Sequence, residues 1–261
     1  MMSILKKECT GDDIVIRILE TSAFSFPKSF KKSNEDFFLS PKRTKDGYVV
    51  AIADGVGSYK GAKEASSAAI SCVDELASEM DQVEIESVFS SAYRRVCSLF
   101  DINNDFENAS TTLTVCHIND KGLTVGHVGD CRVYIKSGNK LKQITKDHTH
   151  YQQLLDENIY SKDEIERMVR KSAITNAISR KITFKVEETF IPKDELELDD
   201  NQLSIYLMSD GAYHFWEKRP QFSPNTMRSV SKFCTNFLRR IERNIPIDDY
   251  SMVGFTVEWN D

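Results

Sequence analysis

The residues with the clearest chemical potential are acids placed where apolar runs begin or end. The run Tyr48-Val49-Val50-Ala51-Ile52-Ala53 stops abruptly on Asp54-Gly55-Val56-Gly57. A β-branched stretch of this kind predicts a buried strand that delivers Asp54 to its carboxyl end, with Gly55 and Gly57 permitting a tight turn before a helix. An acid so placed is suited to holding something charged, such as a metal, or to capping the helix that follows. Four other acidic stretches share the design. Asn34-Glu35-Asp36 leads into the short apolar run Phe37-Phe38-Leu39, and Gly129-Asp130-Cys131-Arg132 sits between two runs. Leu203 to Met208 end on Ser209-Asp210-Gly211, and Asp248-Asp249-Tyr250-Ser251 leads into the last run. A carboxylate at a buried strand end is costly unless it is paired or bound to a cation, and several together raise one another's pKa. A divalent cation removes the conflict, and carboxylate, carbonyl and water oxygens favour Mg²⁺ or Mn²⁺ over Zn²⁺.

The elements that must position these acids follow from hydrophobic period. Strands are expected at 14–19, 37–39, 47–53, 111–118, 123–128, 131–136, 140–145, 183–190, 203–208 and 251–258. Helices are expected at 61–79, 82–100, 151–171 and 223–243. Ser161 and Glu164 have capping-box spacing, and Ser223 with Pro224 suits a helix start. The stripe Phe233, Phe237, Ile241 reads as core. Strand meanders interrupted by helices predict an α+β chain with helices layered on antiparallel sheets. No repeat, low-complexity tract or linker is evident, so residues 1–261 read as a single domain.

Composition narrows the function classes. The 261 residues are 40% hydrophobic and 28% charged, the ordinary balance of a globular protein. A net charge of −6 with both signs interspersed gives no reason to expect nucleic acid as a partner. No run approaches the roughly 18 apolar residues of a membrane span, and no secretory signal is visible. Six cysteines (Cys9, Cys72, Cys97, Cys116, Cys131 and Cys234) are scattered without CxxC pairing, as expected for reduced thiols in a cytoplasmic protein. No Cys-x5-Arg loop of the tyrosine-phosphatase kind is present. His148 and His150 have H-x-H spacing, but without a third soft ligand nearby they read as a structural histidine and an exposed one. His127 reads as a satisfied core residue, and Tyr213 and Trp216 as packing.

In this order the motifs resemble the metal-dependent serine/threonine protein phosphatases of type 2C (the PPM family), particularly compact bacterial members. The matching pieces are Asn34-Glu35-Asp36, Ala53-Asp54-Gly55-Val56-Gly57, Ser110-Thr111-Thr112, Gly129-Asp130-Cys131-Arg132, Thr145-Lys146-Asp147-His148, Ser209-Asp210-Gly211 and Asp248-Asp249-Tyr250-Ser251. They cover roughly 31–257. The resemblance implies a four-layer α+β sandwich of two antiparallel β-sheets flanked by pairs of α-helices. It implies two Mg²⁺ or Mn²⁺ ions: Asp54 bridging them, the Gly55 carbonyl as a further ligand, Asp210 and Asp248 completing one shell, and Asp36 at the other with Glu35 as an alternative. Asp130 would help bind a third, weaker ion, and Asp249 would not be a ligand. The implied reaction is hydrolysis of phosphoserine and phosphothreonine in proteins by metal-activated water, countering a Ser/Thr kinase.

The chain departs from the family pattern at two places. Lys31 stands where an arginine usually binds the substrate phosphate, which keeps the charge but not the planar fork. The variable flap, about 150–182, lacks the usual arginine and terminal glycine in Ser172–Ser179. These departures leave room for an alternative, a catalytically weak phosphoprotein-binding or regulatory scaffold on the same fold.

Overall fold

Along the strand that ends at Asp54, side chains alternate between two interiors. Val49, Ala51 and Ala53 face one cluster and Val50 and Ile52 face another, all essentially buried. A strand buried on both faces must lie in an inner layer. In the computed structural model, which describes residues 16–30, 32–57, 60–80, 83–170 and 172–260, that is where it lies.

Chain order begins with β1 (Ile16–Phe26), β2 (Asp36–Arg43), β3 (Gly47–Asp54), α1 (Ala62–Glu79) and α2 (Ile85–Ile102). It continues through β4 (Ser110–Thr111), β5 (Leu113–Asn119), β6 (Gly122–Val128), β7 (Arg132–Ser137) and β8 (Lys140–Gln143). The flap carries α3 (His150–Glu157), α4 (Lys162–Met168) and β9 (Ile178–Ser179), followed by β10 (Glu187–Pro192) and β11 (Gln202–Met208). The last part holds α5 (Asp210–Lys218), α6 (Pro224–Met227), α7 (Val230–Glu242) and β12 (Tyr250–Trp259).

Two five-stranded sheets result, ordered β1-β12-β11-β7-β8 and β10-β6-β5-β3-β2, with β4 and β9 forming a small third pair. Every pairing among them is antiparallel. The sheets face each other across a core of Val50, Ile52, Cys116, Val133, Ile205, Leu207, Val253 and Phe255. Helices α1 and α2 cover the outer face of the β3 sheet through Ala65, Ala69, Val73, Val88 and Phe89. Helices α5 to α7 cover the other sheet through Trp216, Met227, Phe233, Phe237 and Ile241. The alternation repeats in β11, where Ile205 and Leu207 enter the inter-sheet core and Tyr206 and Met208 meet the helices. The four-layer expectation is met, and the phenylalanine stripe of α7 is core.

Several boundaries differ from expectation for local reasons. The first strand runs on to Phe26, because β12 supplies ladder partners as far as Tyr250; Ile14 and Val15 lie outside the described residues. The helix expected at 151–171 is two short ones: Asn158 adopts φ 54°, a left-handed conformation that ends α3. The Ser161–Glu164 capping box then starts α4. The helix expected at 223–243 breaks between α6 and α7, where Ser229 caps the second segment. Helix α5 was not expected, since only Asp210-Gly211 was legible there. The strand expected at 183–190 begins only at Glu187, where pairing with β6 starts. Free cysteines at 72, 97, 116, 131 and 234 agree with the reduced reading; Cys9 lies outside the described residues.

Candidate active site

The acids singled out from the sequence converge on one end of the two sheets. Asp36 and Asp54 are partners on the last rung of the β2–β3 ladder. In the facing sheet Met208 pairs with both Met252 and Arg132, which places Asp210, Asp248 and Asp130 at the matching ends of β11, β12 and β7. Hydrogen bonds cross between the sheets here. Ser209 Oγ donates to Asp36 Oδ2 at 2.7 Å, and the Glu35 amide donates to Asp249 Oδ2 at 2.8 Å. Lys31 itself lies outside the described residues.

Glycines let backbone segments approach at this end. A Cβ on Gly55 would stand 2.6 Å from the Ala62 carbonyl oxygen, and one on Gly211 would stand 2.0 Å from that of Asp249. Gly55 is needed for this close approach, whereas Gly57 supplies the left-handed turn at φ 88°. Helix α1 is capped by Gly61 without a side-chain bond, so Asp54 is not its cap. The Asp54 backbone is held by Thr111 and Thr112: its N–H donates to Thr112 Oγ1 at 2.9 Å, and its carbonyl accepts from Thr111 Oγ1 at 3.0 Å. The Ser110-Thr111-Thr112 motif therefore fixes the strand end without touching the carboxylate.

The electrostatics are those of crowded, buried acids. Burial pushes Asp36 up to about 7, with Asp210 and Asp249 adding repulsion against the Ser209 hydroxyl. Burial and the Asp248 charge lift Asp210 to about 6. Asp54 is raised well above the carboxylate range by burial and by Asp36, Asp210, Asp130 and Asp248. Asp130, 2% exposed, is raised by burial and by Asp210 and Asp147 in spite of Arg132. Burial and Asp249 also raise Glu35. Among the described residues, the buried oxygens Asp36 Oδ1 and Asp210 Oδ1 have no hydrogen-bond partner. Orphaned carboxylate oxygens amid like charges suit a hard cation. Among the described residues no three His, Cys, Asp or Glu side chains already form a closed metal-ligating group, so carbonyl and water oxygens would have to contribute.

Asp249 is a clamp: its two oxygens accept from the Lys28 and Glu35 amides, each at 2.8 Å. Lys28 was not found from the sequence. Its Nζ pairs with Asp248 Oδ1 at 2.9 Å, and that bond raises the Lys28 pKa. It sits in a loop eight residues before Asp36, with no motif to mark it. Arg132 also exceeds its expected part. It is bidentate to Asp147 at 2.8 and 2.7 Å, reaches Glu217 at 2.6 Å and lies 3.7 Å over the Tyr213 ring. This knot anchors α5 beside a cleft of 610 Å³ that runs from Asp210 past Tyr213 to Tyr151 and Lys162 of the flap. Tyr213 thus packs and lines the cleft, while Trp216 only packs.

The histidines are structural or peripheral. His127 is core but not fully satisfied: its Nδ1 is bonded to Thr114 Oγ1 at 2.8 Å, its buried Nε2 has no hydrogen-bond partner among the described residues, and burial lowers its pKa to about 3. His148 Nδ1 accepts from the Gly129 amide at 3.1 Å, steadying the Asp130 turn. His150 is exposed at the start of α3.

A family profile described as Protein phosphatase 2C matches residues 30–245. A chain from Mycoplasma genitalium, provisionally named a protein phosphatase, is 25% identical over 84% of this chain and 88% of its own. The serine/threonine protein phosphatase PstP of Mycobacterium tuberculosis is 27% identical over 63% of this chain, which spans only 32% of PstP's length. Among solved structures, PstP/Ppp superposes with a TM-score of 0.73 at 21% identity, covering 95% of this chain and 100% of that one. The PstP catalytic domain in complex with two manganese ions gives 0.70 at 21% identity, covering 95% and 99%. These likenesses show the shared fold, and the profile match spans most of the length of the chain, which belongs to the protein phosphatase 2C family of bacterial PPM-type serine/threonine phosphatases.

Proposed function

We propose that this protein hydrolyses phosphoserine and phosphothreonine in proteins at a dinuclear Mg²⁺ or Mn²⁺ site and so counters a Ser/Thr kinase. The observation that carries the reading is the pair of buried, unpartnered oxygens on Asp36 and Asp210 inside a cluster of mutually repelling carboxylates. Asp54 would bridge the ions, with the Gly55 carbonyl, Asp210 and Asp248 as further ligands, Asp36 with Glu35 on the other side, and Asp130 toward a third ion. When bound, such ions supply a water of lowered pKa as nucleophile and offset phosphate charge.

The chain's own residues do the positioning. Ser209 holds Asp36 by occupying one oxygen, which leaves the other free to ligate an ion. Asp249 holds the Glu35 segment against the start of β12. The cleft beside Arg132 and Tyr213 offers the substrate polypeptide a path between the flap and α5. Lys28, paired with Asp248, and Lys31, at the position of the family's phosphate-binding arginine, would attract the phosphate. Residues 1–261 form one domain in this reading, with the flap at 150–182 setting substrate choice. In this reading the enzyme is cytoplasmic and acts on phosphoproteins; among the described residues no helix is long and apolar enough to cross a membrane.

The test is phosphate release from a phosphothreonine peptide in EDTA, Mg²⁺ or Mn²⁺, with a phosphotyrosine peptide as control. Metal-dependent release from phosphothreonine, abolished in Asp54→Asn and Asp210→Asn, is expected. Full activity in either variant would sink the assignment, and no release with any metal from folded protein would favour the scaffold.

A further inference from the structure

Four arginines gather away from the acid cluster, at the far end of α5. Arg219 follows the last residue of α5, and Arg239, Arg240 and Arg243 come from the end of α7. Together they line a concavity of 540 Å³ with Phe222 and Asn236.

Arg240 is fixed. Its guanidinium donates to the Arg219 carbonyl at 2.6 Å and the Gln221 carbonyl at 2.8 Å, and lies 3.7 Å over the Phe222 ring. These contacts orient the fork without neutralising it. Burial and the charge of Arg219 press the Arg240 pKa down, so the two cations oppose each other. Arg239 and Arg243 stand four residues apart on one face of α7, a like-charge spacing that disfavours the helix. Among the described residues no carboxylate forms an ion pair with any of the four. A helix C-terminus attracts arginines through its dipole. That accounts for arginines on α7, but not for bringing Arg219 across from another helix.

We propose that this pocket binds a phosphoryl or carboxylate group on an acidic segment of the phosphoprotein substrate, as a second anchor outside the catalytic cleft. Guanidinium forks match such oxyanions, and a pre-oriented one loses little freedom on binding. The concave shape and the net charge of −6 favour a compact anion over an extended polyanion or an anionic membrane, which the rest of the surface repels. Helix α5 runs from Asp210 to this pocket, and its nine residues span about 14 Å at 1.5 Å per residue. An extended peptide covers that distance in about four residues. That the anion belongs to a substrate rests on the phosphatase reading; the anion site itself does not.

Arg239 and Arg243 are exposed, so the double variant Arg239→Ala/Arg243→Ala is expected to fold normally. Two peptides are compared, one carrying a single phosphothreonine and one carrying in addition a phosphoserine or acidic run four to six residues away. The variant is expected to raise KM for the second peptide about tenfold with kcat unchanged, and to leave the first peptide unaffected. Fluorescence anisotropy with an acidic peptide lacking any scissile phosphate reads the anion site alone. It is expected to show salt-sensitive binding to the native protein and about tenfold weaker binding to the variant. Anisotropy binding without hydrolysis of either peptide would overturn the catalytic reading and keep the anion site. Equal binding by variant and native protein, or binding only to RNA or to phosphatidylserine vesicles, would overturn the proposal.

Discussion

Ser209 Oγ donates a 2.7 Å hydrogen bond to Asp36 Oδ2, although the two residues stand at strand ends in different sheets and 173 positions apart. The same hydroxyl accepts from the Ser251 amide at 3.0 Å, so one buried atom ties β2, β11 and β12 together at the candidate site. Ser209→Ala removes both contacts. Leaving the Ser251 amide unpaired should cost about 1–3 kcal/mol in urea unfolding. Loss of the group that orients Asp36 should weaken Mn²⁺ binding by about 10–100-fold in calorimetric titration. Unchanged Mn²⁺ affinity would mean that Asp36 does not need Ser209 to take up its position.

Stability should depend on pH in a direction opposite to that of ordinary salt-bridged acids. Asp36 and Asp210 are pushed up to about 7 and about 6, from 3.8, so the folded chain binds more protons than the unfolded one between these values. In EDTA their stabilisation is fully present below about pH 4 and is lost as pH rises through 6 and 7. The melting temperature of metal-free protein should therefore fall from pH 5 to pH 8, apart from the contributions of other groups. Saturating Mn²⁺ binds the ionised form, so it should flatten or reverse that slope. Parallel slopes with and without Mn²⁺ would separate the acids from metal binding.

The sequence made the strand ends legible because buried strands announce themselves by composition and because Asp-Gly punctuates them. Asp36, Asp54, Asp130, Asp210 and Asp248 were all found that way, and the structure gathers them at one end of the sandwich. Contacts made across the sheets left no local signal. Ser209 looked like part of a turn and Asp249 like a neighbour of a ligand, yet each connects distant segments. Lys28 lies in a loop whose position is set by Asp249, not by any period of its own. Helix α5 was hidden because its nine residues mix Gly211, His214 and three aromatics, and tertiary burial of Phe215 and Trp216 outweighs that weak propensity.

Arg132 and Asp147 test how the site's outer wall is held. Both are 9% exposed and bonded through two parallel contacts. The further pairing with Glu217 matters less, because that side chain is 52% exposed and well solvated. Arg132→Met would strand the Asp147 charge in the interior and should cost about 3–5 kcal/mol. Adding Asp147→Leu should restore much of the loss, because it removes the unpaired charge. A double variant no more stable than Arg132→Met would place the energy in the stacking of Arg132 on Tyr213 instead.

Lys28 should act on metal and phosphate in opposite senses. Its ammonium pairs with Asp248 and is therefore a fixed positive charge at the edge of the proposed metal site. Such a charge repels a divalent ion and attracts the phosphate dianion. Partial exposure of both partners screens the effect, with side-chain exposures of 32% and 51%, so a several-fold change is the realistic scale. Lys28→Met should bind Mn²⁺ more tightly by roughly threefold to tenfold, and inorganic phosphate more weakly by a similar factor. Lys28→Arg should restore both. The competing possibility is that Lys28 serves chiefly to hold the Asp248 carboxylate in place. Its loss would then weaken Mn²⁺ binding, and the sign of the change in a single calorimetric titration decides between the two roles.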